Sequence, residues 1–143
     1  MRNGGERAGL LVSAAIIYRR GQVLVGQRPE ADKHPLKWEF PGGKVESAES
    51  PRQALVRELR EELEIEATVG AELARYRHKY SPAYEISLLF FAVPGFVGQL
   101  KNRVYKQISW ASLNELERLD FLEGDVDFLR RLARGDFRPQ LEG

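Results

Sequence analysis

Three glutamates, Glu58, Glu61 and Glu62, crowd the segment Arg57-Glu58-Leu59-Arg60-Glu61-Glu62-Leu63. If the segment is helical, each residue turns the chain by about 100°. Positions i, i+3 and i+4 then share one side, close enough to hold a common ligand. Like charges at this spacing destabilise a bare helix, so the cluster calls for a cation or for a solvated face with pairs such as Arg57–Glu61. Hard divalent cations want oxygen ligands, and Mg²⁺ typically takes one or two carboxylates, waters and substrate phosphate oxygens. Ahead of the helix lies Gly42-Gly43-Lys44-Val45-Glu46. Paired glycines let the backbone approach closely or adopt positive φ, and such a turn can add a carbonyl oxygen to a metal shell.

The elements that must position these groups are readable from local signals. Ser50 is a natural N-cap, Pro51 suits the first helical position, and Gln53 completes an S-x-x-Q capping box. Leu55, Leu59 and Leu63 form an apolar ridge with Ala54 and Val56 beside it. The glutamates flank that ridge, which puts them at the edge of a packed interface, where a groove can form. Upstream, Leu10–Tyr18 reads as a buried strand, Gly21 as a turn, and Gln22–Gln27 as the hairpin partner. Pro29 to Leu36 is a polar loop, and Trp38-Glu39-Phe40 a short extended piece. Downstream, Ala71–Lys79 and Tyr84–Val93 read as longer strands and Tyr105–Trp110 as a shorter one. Ser112–Leu119 and Gly124–Ala133 read as helices. Residues 1–8 are expected to form a flexible N-terminus, 9–135 one domain, and 136–143 a C-terminal tail. Mixed strands with helices between and after them predict an α+β sheet with helices packed on it.

Gly43, five residues, Glu49, seven residues, Arg57-Glu58, an apolar Leu59, one residue, Glu61-Glu62, one residue, a variable position at 64, and apolar Ile65 make up a long ordered pattern. It resembles the Nudix box. One position departs: Glu64 stands where the family usually has the glycine that lets the helix end. A glutamate takes the αL conformation at a cost of about 1–2 kcal/mol, so a small stability penalty is expected with the acidic positions intact.

The resemblance implies an α/β/α sandwich around a mixed β-sheet. It implies Mg²⁺, with Mn²⁺ as an alternative, held by Glu58, Glu61, Glu62 and the carbonyl of Gly43. Glu49 and Arg57 match a pair that braces the loop against the helix, and catalytic roles fall on Glu61, Glu62 and Arg57. Some MutT-type members place a base glutamate in the loop before the late tryptophan, yet no carboxylate lies between Gly98 and Trp110. The base is therefore assigned to Glu61 or Glu62.

Trp38-Glu39-Phe40 before Pro41-Gly42-Gly43 resembles the MutT-like branch, which hydrolyses nucleoside triphosphates to monophosphate and pyrophosphate. The same resemblance implies that Arg28 grips the nucleotide and that Asp125 reads the base edge. Asp125 also has a plainer reading, an ordinary N-cap or first-turn acid after Gly124. Trp38, Phe40 and Tyr80 are aromatics able to stack on a base, and Phe40 is placed among the substrate-binding residues. The resemblance implies as substrate an oxidised purine triphosphate such as 8-oxo-dGTP, or equally a cytidine triphosphate. Alternatives are another nucleoside diphosphate derivative such as ADP-ribose, or a non-catalytic nucleotide-sensing domain.

Composition narrows the remaining classes. The 143 residues carry 22 Lys and Arg against 21 Asp and Glu, a net charge of +1. That is no polyanion-binding balance, so the expected partner is a small nucleotide and not a nucleic-acid polymer. The basic tract Arg75-Tyr76-Arg77-His78-Lys79 reads as a strand with alternating solvent-facing cations. The chain has no cysteine, which removes thiolate catalysis and zinc–thiolate sites. No apolar run approaches the roughly 20 residues of a membrane span, and no secretory h-region follows the N-terminal charge. A cytoplasmic protein with no membrane partner is expected. The resemblance admits a homodimer, although no apolar seam in the sequence specifies one.

Overall fold

The computed structural model describes residues 10–142. The expected flexible N-terminus, residues 1–8, lies outside them. The strands are β1 (Leu10–Arg19), β2 (Gln22–Gln27), β3 (Trp38–Glu39), β4 (Gly42–Lys44), β5 (Glu66–Thr68), β6 (Glu72–Ser81), β7 (Tyr84–Val93), β8 (Gly95–Val97) and β9 (Gln107–Ser112). The helices are α1 (Pro51–Leu63), α2 (Val126–Ala133) and α3 (Arg138–Glu142).

A strand buried on both faces reads as a near-continuous apolar run, and parallel pairing favours that burial. β1 and β7 fit this description. They pair in parallel from Leu10↔Ile86 to Ile17↔Val93. Successive strand residues point to opposite faces. Ala14, Ile16, Leu88 and Phe90 therefore pack with Phe128, Leu129 and Leu132 of α2. Ala15, Ile17, Leu89 and Phe91 pack with Leu55, Leu59 and Leu63 of α1. One mixed sheet lies between helices on its two faces, which is the α/β/α arrangement expected. β6 closes one edge, antiparallel to β7. Its Arg75, Arg77 and Lys79 alternate outward to solvent, as read from the basic tract. β4 pairs with β1 through Val12↔Lys44, Ser13↔Gly43 and Ala14↔Gly42.

α1 starts as its sequence dictates. Ser50 accepts a hydrogen bond from the Gln53 backbone at 3.1 Å, and the Gln53 side chain accepts one from the Ser50 N–H at 2.8 Å. It ends on Glu64 in the αL conformation, φ 59°. The strain of that non-glycine cap is offset locally. Arg103 reaches the Glu64 carboxylate at 2.8 Å, and the Lys101 and Arg103 N–H groups donate to the Leu63 and Glu62 carbonyls, each at 2.9 Å. Residues 98–106 thus satisfy orphan carbonyls at the helix end.

Four readings change. Ser112–Leu119 forms only a 3₁₀ turn at Leu116–Arg118, ahead of which the Glu115 side chain accepts from the Ser112 N–H at 2.8 Å. The strand read at Tyr105–Trp110 begins at Gln107, which leaves Tyr105 in the preceding loop. β5 and β8 form a separate two-stranded sheet that no periodicity had marked. In the stretch expected as a tail, the described residues 136–142 pack on the domain: Phe137 is buried, its ring stacks on Phe128 at 5.0 Å, and α3 follows, with Glu142 accepting from the Tyr18 hydroxyl at 2.6 Å. Among the described residues, no helix is long and apolar enough to cross a membrane.

Candidate active site

The ends of β1, β3 and β4, the acidic side of α1, the loop after β2 and the β6–β7 hairpin surround a pocket of about 400 Å³. Its two ends differ in chemistry. One carries Gly42, Gly43, Lys44, Glu58 and Glu62; the other carries Tyr80, Tyr84, Ile86, Leu88, Leu122 and Asp125. Arg28, Glu39 and Tyr105 lie between them.

The glycines at the acidic end are fixed by contact. Gly42 has φ 152°, and a Cβ there would overlap the Ser13 carbonyl oxygen. A Cβ on Gly43 would overlap the Glu58 carboxylate. Glu58 therefore lies directly against the backbone of the turn. One helical turn on, Glu62 accepts from the Gly42 N–H at 3.3 Å, and its carboxyl oxygen lies 3.3 Å from the Tyr105 hydroxyl oxygen. Burial, and then the neighbouring Glu58 charge, push the Glu62 carboxyl well above the ordinary carboxylate range. Such a pair is unfavourable without a cation.

Arg57 ties this end together. Its guanidinium meets Glu49 through two bonds of 2.7 and 3.0 Å, Glu58 at 3.0 Å, Glu61 at 3.3 Å and the Lys44 carbonyl at 3.1 Å. The hydrogen bonds from Arg57 hold the Glu49 carboxyl below its ordinary value. The expected convergence of three glutamates is not formed. Glu61 is 60% exposed, held by Arg57 at the rim, and absent from the pocket lining. Among the described residues, no three His, Cys, Asp or Glu side chains gather as a ready-made metal cage. Two facing carboxylates beside a backbone turn nevertheless suit an ion that keeps waters and takes the rest of its shell from phosphate oxygens.

Between the ends, Glu39 accepts from Arg28 at 2.5 Å and from the Tyr105 hydroxyl at 3.0 Å. Burial outweighs the attraction of Arg28, so the Glu39 carboxyl is raised. The Tyr105 phenol is raised well above its usual value, first by burial and then by the two carboxylates it touches. Arg28 also binds Asp32 through two bonds of 2.6 and 3.1 Å. The sequence reading assigned nothing to Glu39 or Tyr105. The available signal for Glu39 was its place between Trp38 and Phe40, since alternation turns it away from the core they face.

At the far end, Asp125 closes the 3₁₀ turn Glu123–Asp125 ahead of α2, is 3% exposed, and makes no side-chain capping bond. Asp125 thus occupies the N-cap position of α2 without using its carboxyl as a cap. Phe40 departs from its expected role: its ring is buried, packed against Phe90, Phe121 and Phe128 at 5.0–6.1 Å. It forms the pocket floor and has no free face for stacking. Trp38 also packs on the core. Tyr80 does line the pocket, in a row with His34 at 5.5 Å and Tyr84 at 6.1 Å.

The fold and this site define a hydrolase class built on an acidic helix beside a glycine turn. The NUDIX domain model matches residues 9–132, and the chain belongs to that family. It is 45% identical over 118 residues to the CTP pyrophosphohydrolase of Escherichia coli K12, covering 82% of this chain and 87% of the relative. It is 34% identical over 122 residues to the 8-oxo-dGTP diphosphatase of Haemophilus influenzae, covering 85% and 89%. The solution structure of the E. coli ORF135 protein superposes with a TM-score of 0.82 at 41% identity, covering 94% of both chains. MutT proteins studied from Aliivibrio salmonicida and Vibrio cholerae gave a structure that matches at 0.77 and 30% identity, covering 88% of this chain and 98% of the other. Nudix hydrolases as a family use a divalent metal ion.

Proposed function

We propose that this chain hydrolyses a nucleoside triphosphate to the monophosphate and pyrophosphate, with the phosphates at the Gly43–Glu58–Glu62 end and the base at the Tyr80–Asp125 end. The observation that carries this reading is the division of one pocket into an acidic end and an aromatic end. The likeness to a CTP pyrophosphohydrolase and to an 8-oxo-dGTP diphosphatase supports the triphosphate as substrate.

Glu58, Glu62 and the Gly43 carbonyl would hold Mg²⁺, with Glu61 adding a carboxylate at the rim. When bound, the ion neutralises phosphate oxygens and acidifies the attacking water. With its charge restored by a bound cation, Glu62 would be the carboxylate placed to accept a proton from water: it lines the pocket, whereas Glu61 is at the rim and residues 98–106 offer no carboxylate. Arg57 positions Glu58 and Glu61 while anchored on Glu49, so the loop and the helix move as one body. Tyr105 holds Glu39 and Glu62 at a fixed separation through its hydroxyl. Arg28, tethered by Asp32 and Glu39, presents its charge to the middle of the pocket, where a ribose or phosphate oxygen would sit. Alignment of this kind supplies much of a rate enhancement.

The test is incubation with Mg²⁺ and a nucleotide panel, with pyrophosphate and orthophosphate measured separately. Pyrophosphate with a nucleoside monophosphate is the expected product pair. Orthophosphate from a triphosphate would move the cut to another bond, and tight binding without turnover would favour a sensor.

A further inference from the structure

Tyr105 belongs to residues 98–106, which form neither helix nor strand. Its side chain is buried, so its main-chain groups need partners from elsewhere. The Asn102 side chain supplies them. Its Oδ1 accepts from the Tyr105 N–H at 2.8 Å and from the Val104 N–H at 3.2 Å. Its Nδ2 donates to the Tyr105 carbonyl at 2.7 Å. A side-chain amide carries an acceptor and a donor side by side, and here both close on one residue. Among the described residues, the Tyr105 N–H and carbonyl make no other hydrogen bond. The rest of the stretch is fastened to elements of the site. The Lys101 and Arg103 N–H groups donate to the Leu63 and Glu62 carbonyls at the end of α1, and the Lys106 N–H donates to the Gln27 carbonyl of β2 at 2.8 Å. The chain therefore closes a circuit. It runs from the Glu62 carbonyl through Arg103 and Asn102 to Tyr105. It returns through the phenol to a point 3.3 Å from the Glu62 carboxylate.

We propose that Asn102 is a positioning residue for cleavage of the phosphoanhydride: its amide sets the depth at which the Tyr105 hydroxyl meets Glu39 and Glu62, without touching the nucleotide. This rests on the reading above, in which Glu62 works at the phosphate end. Asn102 does not line the pocket, whereas Tyr105 does. The hydroxyl sits at the far end of a rigid ring, so a change of backbone at Tyr105 is carried directly to it. The bonds made by Lys101, Arg103 and Lys106 fix the stretch on either side of Tyr105. Asn102 alone grips Tyr105 by its own N–H and carbonyl. With that grip lost, the ring still rests on Gly26, where a Cβ would stand 2.6 Å from it, but its depth is no longer fixed. The donation to Glu39 at 3.0 Å and the approach to Glu62 then lengthen together. A displaced positioning group costs rate even when it lies away from the reacting atoms.

A double-mutant cycle and one spectroscopic readout test this. The wild type, Asn102→Ala, Tyr105→Phe and the double variant are assayed for kcat and KM on the triphosphate that the wild type hydrolyses fastest, and their melting temperatures show that each is folded in the assay. Asn102→Ala is expected to lower kcat about tenfold with KM changed less than about twofold. In the Tyr105→Phe background the same substitution is expected to cost less than about twofold in kcat, because the hydroxyl it positions is gone. A residue that only stabilised the loop would cost the same factor in both backgrounds. In the metal-free full-length protein, the Tyr105 ring resonances are assigned by their loss in Tyr105→Phe. They are expected to shift in Asn102→Ala while those of Tyr18 and Tyr76 stay in place. Equal factors in the two backgrounds, a wild-type kcat in Asn102→Ala or in Tyr105→Phe, or unmoved Tyr105 resonances would overturn the inference. If the wild type hydrolyses no triphosphate, the proposed function falls and the link from Asn102 to cleavage with it, and the Tyr105 resonances show separately whether the hold of Asn102 on Tyr105 exists.

Discussion

Replacing Tyr105 by phenylalanine removes one oxygen and leaves the ring, which packs face-on against the backbone of Gly26. That oxygen donates to Glu39 at 3.0 Å and lies 3.3 Å from Glu62. Both acceptors keep one other partner, Arg28 for Glu39 and the Gly42 N–H for Glu62. Neither is left bare, so the lower part of the range for an unsatisfied buried polar group applies, about 1–2 kcal/mol. For a domain of this size that lowers Tm by roughly 3–6 °C. The functional effect should be larger, because the Tyr105 hydroxyl lies within reach of both Glu39 in the middle of the pocket and Glu62 at its acidic end. A displacement of about 1 Å in a positioning group costs on the order of 10²-fold in rate, and a partial release of Glu62 should cost at least tenfold in kcat. Thermal melts with and without Mg²⁺, together with steady-state kinetics, measure both effects. A variant that melts within a degree of wild type and turns over at the wild-type kcat would refute the argument that this hydroxyl holds the two carboxylates in place.

Other perturbations address the remaining parts of the site. Glu62→Gln should lower kcat by orders of magnitude with an unchanged circular dichroism spectrum; an active variant would remove Glu62 from the metal and proton-accepting roles. Gly43→Ala puts a methyl group into the Glu58 carboxylate and should raise the Mg²⁺ concentration needed for half-maximal rate, whereas an unchanged requirement would show that Glu58 does not depend on the turn. Chelation should abolish turnover and added Mg²⁺ restore it. Asp125 also predicts a pH signature for stability. Its folded pKa lies above the unfolded value of about 3.9, so the native state holds a proton that the unfolded chain releases. Native stability should therefore fall with rising pH by about 1.4 kcal/mol per unit relative to Asp125→Asn, from about pH 4 up to the folded pKa. Parallel stability curves for the two proteins would count against a buried neutral acid.

The parts legible from sequence are those set by short-range chemistry. The Ser50–Pro51–Gln53 start of α1 depends on neighbours three residues apart and forms as read. So do the Leu55–Leu59–Leu63 ridge and the αL end at Glu64. The α/β/α layering follows from the doubly apolar runs of β1 and β7. What escaped depends on distance. Glu39 and Tyr105 meet across 66 residues, and nothing local announces the encounter. The stretch from Gly98 to Trp110 holds no carboxylate, and the polar side chain it sends into the pocket is the phenol of Tyr105. Glu61 and Glu62 are adjacent glutamates, identical in type, and only the packing of α1 decides that one enters the pocket and the other meets solvent. Phe137 is a single aromatic amid charged residues, so its place on Phe128 left no periodic trace.

Ser13 is fully buried in β1, pairs with Gly43 across the β1–β4 ladder, and donates its hydroxyl to the Pro51 carbonyl at 2.8 Å. The glycine turn and the first residue of α1 are therefore fastened to the same point of the innermost strand. Amide protons there should exchange only when the whole molecule opens. Tyr80 instead lies on the edge strand β6, and Tyr84 precedes the first described β1–β7 pair, Leu10↔Ile86. Mutation could thus remodel the choice of base at the periphery while bond cleavage, bolted to the centre, stays as it is.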